Sequence, residues 1–98
     1  MTPATVLLCV LLWAREGEED TLVEYEDRVL ALLPDHGACV RQRVRSDGGV
    51  GAPLEVHVLE FPSQVALDAY MADERRVGLS ALRERGIART QVLRVEAV

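Results

Sequence analysis

The sequence predicts an α+β fold whose elements follow the order β-α-β-β-α-β. Three observations lead to this prediction: apolar runs of strand length, segments in which apolar residues recur every three or four positions, and breaks rich in Gly and Pro between them. A chain of 98 residues has the size of one domain, so we expect residues 1–98 to form a single domain. Hydrophobic residues make up 49% of it, which is more apolar strand surface than one layer of helices can cover.

The first half of the chain is predicted to supply a strand and a helix. Residues 4–13 (ATVLLCVLLW) form a nearly continuous apolar run, which is typical of a strand covered on both faces. Over residues 18–33 the apolar period changes to that of a helix, and Pro34 and Gly37 are expected to end it. The apolar stripe of this helix is predicted to consist of Leu22, Tyr25, Val29, Leu32 and Leu33.

Residues 38–46 predict a second strand, because their side chains alternate in character. A glycine-rich connection over residues 47–53 leads to a third strand over residues 54–61, which ends at Pro62. Regular alternation would place Ala38, Val40, Gln42 and Val44 on one face of the second strand and Cys39, Arg41, Arg43 and Arg45 on the other.

The remaining residues predict helices followed by a last strand over residues 87–98. Ser63 is placed to cap the first helix and Asp73 to cap a second one, which would run through Arg85 and end at Gly86. The inward-facing residues are predicted to be Val65, Ala66, Ala69 and Tyr70 in the first helix and Val77, Ala81 and Leu82 in the second.

This order is the split βαβ arrangement of a ferredoxin-like fold, an antiparallel sheet with helices on one face. Right-handed crossovers place the first and third strands in the centre of the sheet. The other face would then be bare and apolar, so we expect a homodimer. Cys9 and Cys39 would lie two strand spacings apart, about 10 Å, which is too far for a disulfide, and we expect both thiols to be small buried side chains.

Charge and composition exclude several classes of function. The net charge of −5 argues against nucleic acid as a partner, because an acidic surface repels phosphate. The apolar start of the chain is too short to span a membrane and lacks the features of a signal peptide, so we expect a cytoplasmic protein with no membrane partner. The sequence contains no Cys/His cluster with metal-ligand spacing and no nucleotide-binding motif, so we expect neither a metal nor another cofactor.

One stretch of the sequence resembles a known group of proteins. Residues 56–73 (VHVLEFPSQVALDAYMAD) are similar to the central motif of the dimeric α/β-barrel proteins, near the antibiotic-biosynthesis-monooxygenase-like families and related families of unknown function. The resemblance implies a homodimer whose two sheets form a barrel, with a pocket between sheet and helices in each subunit. Relatives include cofactor-independent oxygenases of polyketide phenols, lactone isomerases, aldol-type cyclases and haem-degrading enzymes. This chain contains no Asn, so any role that such relatives give to an Asn side chain is absent here.

Three residues are candidates for catalysis. His57 lies in the middle of the third strand, where a partly apolar pocket would make it a general base or acid, although it could equally be structural. Arg43 could hold a developing oxyanion, or it could belong to a charged edge strand. His36, at the end of the first helix, is the second choice for a proton-transfer residue, against its role as a turn residue.

Four further residues are candidates for substrate binding. Tyr25 and Tyr70 fall on apolar helix stripes, where a tyrosine is usually part of the core but can still reach a pocket with its hydroxyl group. Trp13 could form the wall of a pocket for a flat substrate, or it could pack in the core or at the dimer seam. Glu60 belongs to the motif, and its odd separation from Glu55 places the two carboxylates on opposite faces of the strand.

Two functions follow from these observations. The first is a cofactor-independent enzyme that abstracts a proton next to a carbonyl in a small aromatic or polyketide-like bacterial metabolite, as a monooxygenase, a cyclase or an isomerase. The second is a non-catalytic dimeric module that binds a ligand or a protein, which the low aromatic content of 4% favours. A cavity of several hundred Å³ that contains a histidine would favour the enzyme.

Overall fold

The computed structural model of the protein describes residues 4–98. Four strands and four α-helices follow the predicted β-α-β-β-α-β order, with one helix after the first strand and three helices between the third and the fourth. The strands are β1 (Val6–Ala14), β2 (Cys39–Arg45), β3 (Glu55–Phe61) and β4 (Ile87–Val95). The helices are α1 (Glu19–Leu30), α2 (Gln64–Met71), α3 (Glu74–Val77) and α4 (Ser80–Gly86), and a 3₁₀ turn (Leu33–His36) follows α1.

The four strands form one antiparallel sheet in the order β2-β3-β1-β4. The first and third strands are therefore central, as predicted. In the register between them, Val10 lies opposite His57 and Cys9 lies opposite Val58. Because neighbouring positions point to opposite faces, Val10 and His57 share the face covered by the helices, whereas Cys9 and Val58 share the other, which we call the open face.

The open face is apolar, as expected for a sheet whose helices all lie on one side. Leu93 on β4 and Val44 on β2 are each 44% exposed there. The other apolar residues of the open face are half-buried: Leu7, Cys9, Leu11, Val56, Val58 and Val95. The two cysteines are free, as predicted. The expectation that both are buried is wrong, because Cys39 is exposed on the edge strand β2.

A β-bulge in β2 overturns the regular alternation predicted for this strand. The pairing with β3 shifts between Val40 and Gln42, so Arg41 is an extra residue in the ladder. Val40 therefore shares the helix-covered face with Arg43, and Gln42 shares the open face with Cys39.

Helix α1 buries the predicted stripe. Leu22, Tyr25 and Val29 are buried against the sheet together with Leu33 of the 3₁₀ turn. The α-helix itself ends earlier than predicted, at Leu30, and Gly37 ends the 3₁₀ turn in the left-handed conformation with φ of 69°.

Helix α2 begins where predicted but turns a different side to the core. The Ser63 hydroxyl accepts a hydrogen bond from the Ala66 amide at 3.1 Å, which confirms the cap. The predicted stripe is wrong at Val65, which is 77% exposed, and at Ala69, which is also exposed. Leu67 and Tyr70 are the buried residues, because the β3–α2 connection fixes the rotation of a helix too short to bury two sides.

The predicted helix from Asp73 to Arg85 is two helices. Asp73 caps α3 by accepting the Arg75 amide, but α3 ends after one turn at Val77. The prediction that Val77 and Ala81 face inward is wrong, since both are exposed, and Leu82 alone of the three packs on the core.

Gly86 ends α4 for a steric reason rather than a conformational one. A Cβ atom at this position would lie 2.8 Å from the amide nitrogen of Leu22, so only glycine permits this approach of α4 to α1. None of the helices described for residues 4–98 is long and apolar enough to cross a membrane.

Candidate functional site

A cavity of about 310 Å³ lies between the sheet and the helices. Aliphatic side chains of the core form most of its wall, among them Leu8, Val10 and Val29. Exposed residues on α2, α4 and β4 line it as well and form its mouth: Asp68, Met71, Arg83 and Val92. The polar groups inside it come from Tyr25, Glu26, His57, Tyr70 and Arg76.

His57 is fully buried on the helix-covered face and lines this cavity. The sequence leaves the direction of its side chain open, because both parities of β3 are mostly apolar. The pairing with β1 settles it, since His57 lies opposite buried Val10. One of the predicted catalytic residues is therefore located in a pocket.

The two ring nitrogens of His57 have different surroundings. Nε2 lies 2.7 Å from the Glu55 carboxylate, whereas Nδ1 is buried without a hydrogen-bond partner. Burial would raise the pKa of Glu55, but hydrogen bonds from Arg43 and His57 outweigh it and lower that pKa, so Glu55 is ionised and accepts a proton from Nε2–H. Burial lowers the pKa of His57, despite the opposing effect of Glu55, so the ring is neutral and Nδ1 carries a lone pair.

Arg43 also fixes the Glu55 carboxylate. Its Nε and Nη2 atoms donate to the two Glu55 oxygens at 2.8 and 3.2 Å, and its Nη1 atom donates to Asp27 at 2.7 Å. Arg43 does not line the cavity. It contacts Glu55 and can act on the cavity only through that carboxylate, so its role in holding a substrate oxyanion stays a prediction.

Glu26 brings a second carboxyl group to His57. It lies on α1, is buried, lines the cavity and approaches Nδ1 of His57 to 3.5 Å, which is too long for a hydrogen bond. Burial, together with the charge of Glu55, raises the pKa of Glu26 to about 7. Near neutral pH a large fraction of Glu26 is thus a neutral acid with a proton to donate.

Tyr25 and Tyr70 both line the cavity. The Tyr70 hydroxyl donates to the Val29 carbonyl at 2.9 Å, and burial raises the pKa of Tyr70 to about 12. Burial also raises the pKa of Tyr25. Both side chains are therefore neutral, and the predicted placement of two tyrosines at a pocket agrees with the geometry.

His36, Trp13 and Glu60 lie away from the cavity. His36 bonds Asp73 at 2.8 Å and packs edge-on against the Tyr70 ring. Trp13 is on the open face, where its indole nitrogen donates to the Gly51 carbonyl at 3.0 Å. Glu60 is also on the open face, opposite to Glu55, as its odd separation from Glu55 predicted. Its carboxylate lies 3.5 Å from Arg41.

Sequence reasoning missed Glu26, Arg76 and Arg83 as cavity residues. Glu26 follows Leu22 by four positions, so it occupies the apolar stripe of α1, and a carboxylate at such a position was the available signal. Glu55 and His57 are two residues apart on one strand face, which also predicts contact. In the part of the chain that the structure describes, no three His, Cys, Asp or Glu side chains are grouped to hold a metal ion.

No family model and no curated protein matches this sequence. Solved structures of similar fold are known, however. A Pseudomonas aeruginosa protein aligns over 100% of this chain and 98% of its own, with 12% identity and a TM-score of 0.78. A dimeric protein of unknown function from Bacteroides fragilis aligns over 95% of this chain and 96% of its own, with 15% identity and a TM-score of 0.68.

A third similar structure carries a family name. It is a dabb family protein from Mesorhizobium loti, which aligns over 96% of this chain and 97% of its own, with 14% identity and a TM-score of 0.67. The Bacteroides and Mesorhizobium proteins are both described as ferredoxin-like. With its four-stranded antiparallel sheet and covering helices, this chain has the ferredoxin-like fold of these dimeric and dabb proteins.

Proposed function

We propose that the protein is an enzyme that removes a proton next to a carbonyl in a small, largely apolar molecule. The observation that carries this proposal is the Nδ1 atom of His57, which is buried without a hydrogen-bond partner in a residue that lines a mostly apolar cavity. A buried polar atom without a partner is costly to a protein and needs an explanation. The explanation proposed here is that Nδ1 accepts a proton from the substrate.

In the proposed step, His57 acts as the general base. Its Nδ1 lone pair takes the proton from the carbon next to the carbonyl, the C–H electron pair becomes a C=C bond, and the C=O π electrons move onto the oxygen to give an enolate. The imidazolium that forms is stabilised by ionised Glu55, which Arg43 holds in place. This arrangement parallels the buried carboxylate that orients the histidine of a serine-protease triad.

Glu26 is proposed as the group that stabilises the enolate. As a neutral acid it donates a hydrogen bond to the developing oxyanion, and this bond strengthens as charge develops on the oxygen. A base and an acid then flank one reacting centre, since Glu26 lies 3.5 Å from Nδ1. The chain's own side chains supply both groups that this step requires.

The enolate leads to two kinds of product, and both begin with the same proton transfer. It can react with O₂, as in a monooxygenase, or it can be reprotonated or attack a second carbonyl, as in an isomerase or cyclase. An apolar cavity of about 310 Å³ suits an aromatic or polyketide-like molecule.

Proton exchange tests the proposal without knowledge of the natural substrate. Wild-type protein in D₂O should accelerate loss of the α-proton NMR signals of 2-tetralone and benzoylacetone, and H57Q should reduce the acceleration by about 10²-fold or more. H36Q is the matched control, because it replaces a histidine outside the cavity and should exchange at the wild-type rate. A folded H57Q protein with the wild-type rate would remove His57 from the mechanism. No acceleration by wild type would favour the non-catalytic binding module.

We also propose that two copies pair through their open faces. The proposal is supported by the apolar character of this face and by the dimeric Bacteroides protein of the same fold. In analytical ultracentrifugation, wild type should sediment as a dimer and L93R, on the open face, as a monomer. V65R on the outer side of α2 is the matched control and should remain dimeric. A wild-type monomer at micromolar concentration would contradict the pairing.

A further inference from the structure

Two arginines at the cavity have no acidic partner. Arg76 and Arg83 both line it, and neither forms a salt bridge with any residue in the described range, 4–98. The Nε atom of Arg76 is buried and makes no hydrogen bond. Arg83 is exposed at the mouth, where it donates to the Thr90 hydroxyl at 3.4 Å. Both therefore retain donors for a bound molecule.

Arg76 is held in position by an aromatic ring. Its guanidinium carbon lies 5.3 Å from the centre of the Tyr70 ring, a cation–π contact. The Tyr70 hydroxyl is occupied by the Val29 carbonyl, so the ring itself is fixed. A ligand would thus meet a preorganised donor rather than a mobile surface arginine, which reduces the entropic cost of binding.

The charges of the cavity lining indicate an anion with one negative charge. Among residues 4–98, Asp68 is the only lining carboxylate besides Glu26, and it already accepts a hydrogen bond from Gln64 at 2.9 Å. With Glu26 protonated and His57 neutral, two arginines and one aspartate leave one positive charge. The rest of the wall is mostly apolar.

From these contacts we infer that the cavity binds an apolar molecule carrying a single carboxylate, with Arg76 as the main anchor and Arg83 as a second donor at the mouth. The inference rests on the proposed function in taking this cavity as the substrate site. It narrows the substrate class to apolar keto acids or aromatic acids, whose carboxylate lies on Arg76 while another part of the molecule lies at His57. The guanidinium fork matches the two oxygens of a carboxylate.

Isothermal titration with two probes of similar shape tests the inference. At pH 6, wild type should bind 2-naphthoate at least about tenfold more tightly than 2-naphthalenemethanol, as expected for hydrogen bonds to a charged group. R76M should abolish this preference and leave the affinity for the alcohol nearly unchanged, whereas R83M should reduce the preference by less. R28M removes the same charge from the outer side of α1, so it is the matched control and should retain the full preference.

Three results would overturn the inference. The first is equal affinity of wild type for the acid and the alcohol, which needs no variant and so does not depend on R76M folding. The second is an equal loss of preference in R28M, which would indicate a general charge effect. The third is 2-naphthyl phosphate binding tenfold more tightly than 2-naphthoate, which would indicate a phosphate site.

One further variant separates this inference from the proposed function. H57Q should retain the preference for 2-naphthoate, because Arg76 and not His57 recognises the anion. Loss of proton exchange with retained preference would support both ideas. Retained exchange in H57Q with the preference intact would contradict only the mechanism. If wild type does not prefer 2-naphthoate but its proton exchange depends on His57, only the anion site is contradicted.

Discussion

Two histidines of this protein make nearly the same bond and differ in what lies on the other side of the ring. The Nε2 atom of His57 is 2.7 Å from Glu55, and the Nε2 atom of His36 is 2.8 Å from Asp73. His57 is fully buried, lines the cavity and has an Nδ1 atom without a hydrogen-bond partner. His36 is partly exposed, outside the cavity, and lies edge-on to the Tyr70 ring.

The carboxylates of the two pairs also differ. Glu55 is buried in a central strand and receives Arg43 through two hydrogen bonds. Asp73 caps α3 and receives Arg75, which lies at the surface. Hydrogen bonds from Arg75 and His36 hold the pKa of Asp73 well below its ordinary value. The His36–Asp73 pair thus stabilises the start of α3, whereas the His57–Glu55 pair is part of the proposed catalytic centre. The difference between them is that His57 lines the cavity.

The largest effect that would separate the two pairs is expected from their carboxylates. E55Q removes the ionised acceptor of a buried network, so it should cost about 3 to 5 kcal/mol of unfolding free energy at pH 7. D73N should cost much less, since the Asn side-chain oxygen can still cap α3 and accept from His36. Urea unfolding at equal protein concentration measures both. An equal loss of unfolding free energy in E55Q and D73N would mean that the burial of Glu55 does not make its pair more important for stability.

A second difference lies in Glu26, a second carboxyl group that is 3.5 Å from His57. Its pKa of about 7 lies above the ordinary value of about 4.5, so the folded state binds a proton that the unfolded chain releases between these pH values. The stability contributed by this proton is complete below pH 4.5 and is lost as the pH rises toward 7. E26Q should therefore be more stable than wild type by roughly 3 kcal/mol at pH 8 and equally stable at pH 4.

Unfolding midpoints of wild type and E26Q between pH 4 and 8 measure this effect. E24Q is the matched control, because Glu24 lies on the exposed side of the same helix and pairs with Arg28. Its stability should follow that of wild type to within a few tenths of a kcal/mol at every pH. A constant gap between E26Q and wild type would mean that Glu26 titrates at its ordinary pKa in the folded protein.

The cap at Ser63 and the stripe of α1 followed from the sequence because each depends on a short motif or on local periodicity, and the strand order followed from the handedness of crossovers. The face of β3 that His57 occupies did not, because Leu54, Val56 and Val58 lie on one side of the strand and Leu59 and Phe61 on the other, so either side could face the helices. Only pairing with β1 separates the two parities. The bulge at Arg41 likewise depends on the partner strand, and it moved Arg43 into contact with Glu55.

The role of Arg76 was not readable from the sequence for a similar reason. A continuous helix from Asp73 was predicted, whereas Arg76 lies in α3, which ends after one turn at Val77, before the break at Gly78 and Leu79. The cavity forms where α1, α2 and α4 meet the sheet, and such tertiary contacts leave no periodic signal. Local patterns thus predicted the elements, whereas the site required their packing.

The smallest expected effect concerns His36 itself. H36A removes the bond to Asp73 and the edge contact with Tyr70, so it should cost about 1 to 2 kcal/mol of unfolding free energy. It should leave the proton-exchange rate of the folded protein unchanged, because no His36 atom lines the cavity. Exchange NMR in D₂O together with urea unfolding provides both readouts. A loss of proton exchange in a fully folded H36A protein would place the proton chemistry at the His36–Asp73 pair rather than at His57.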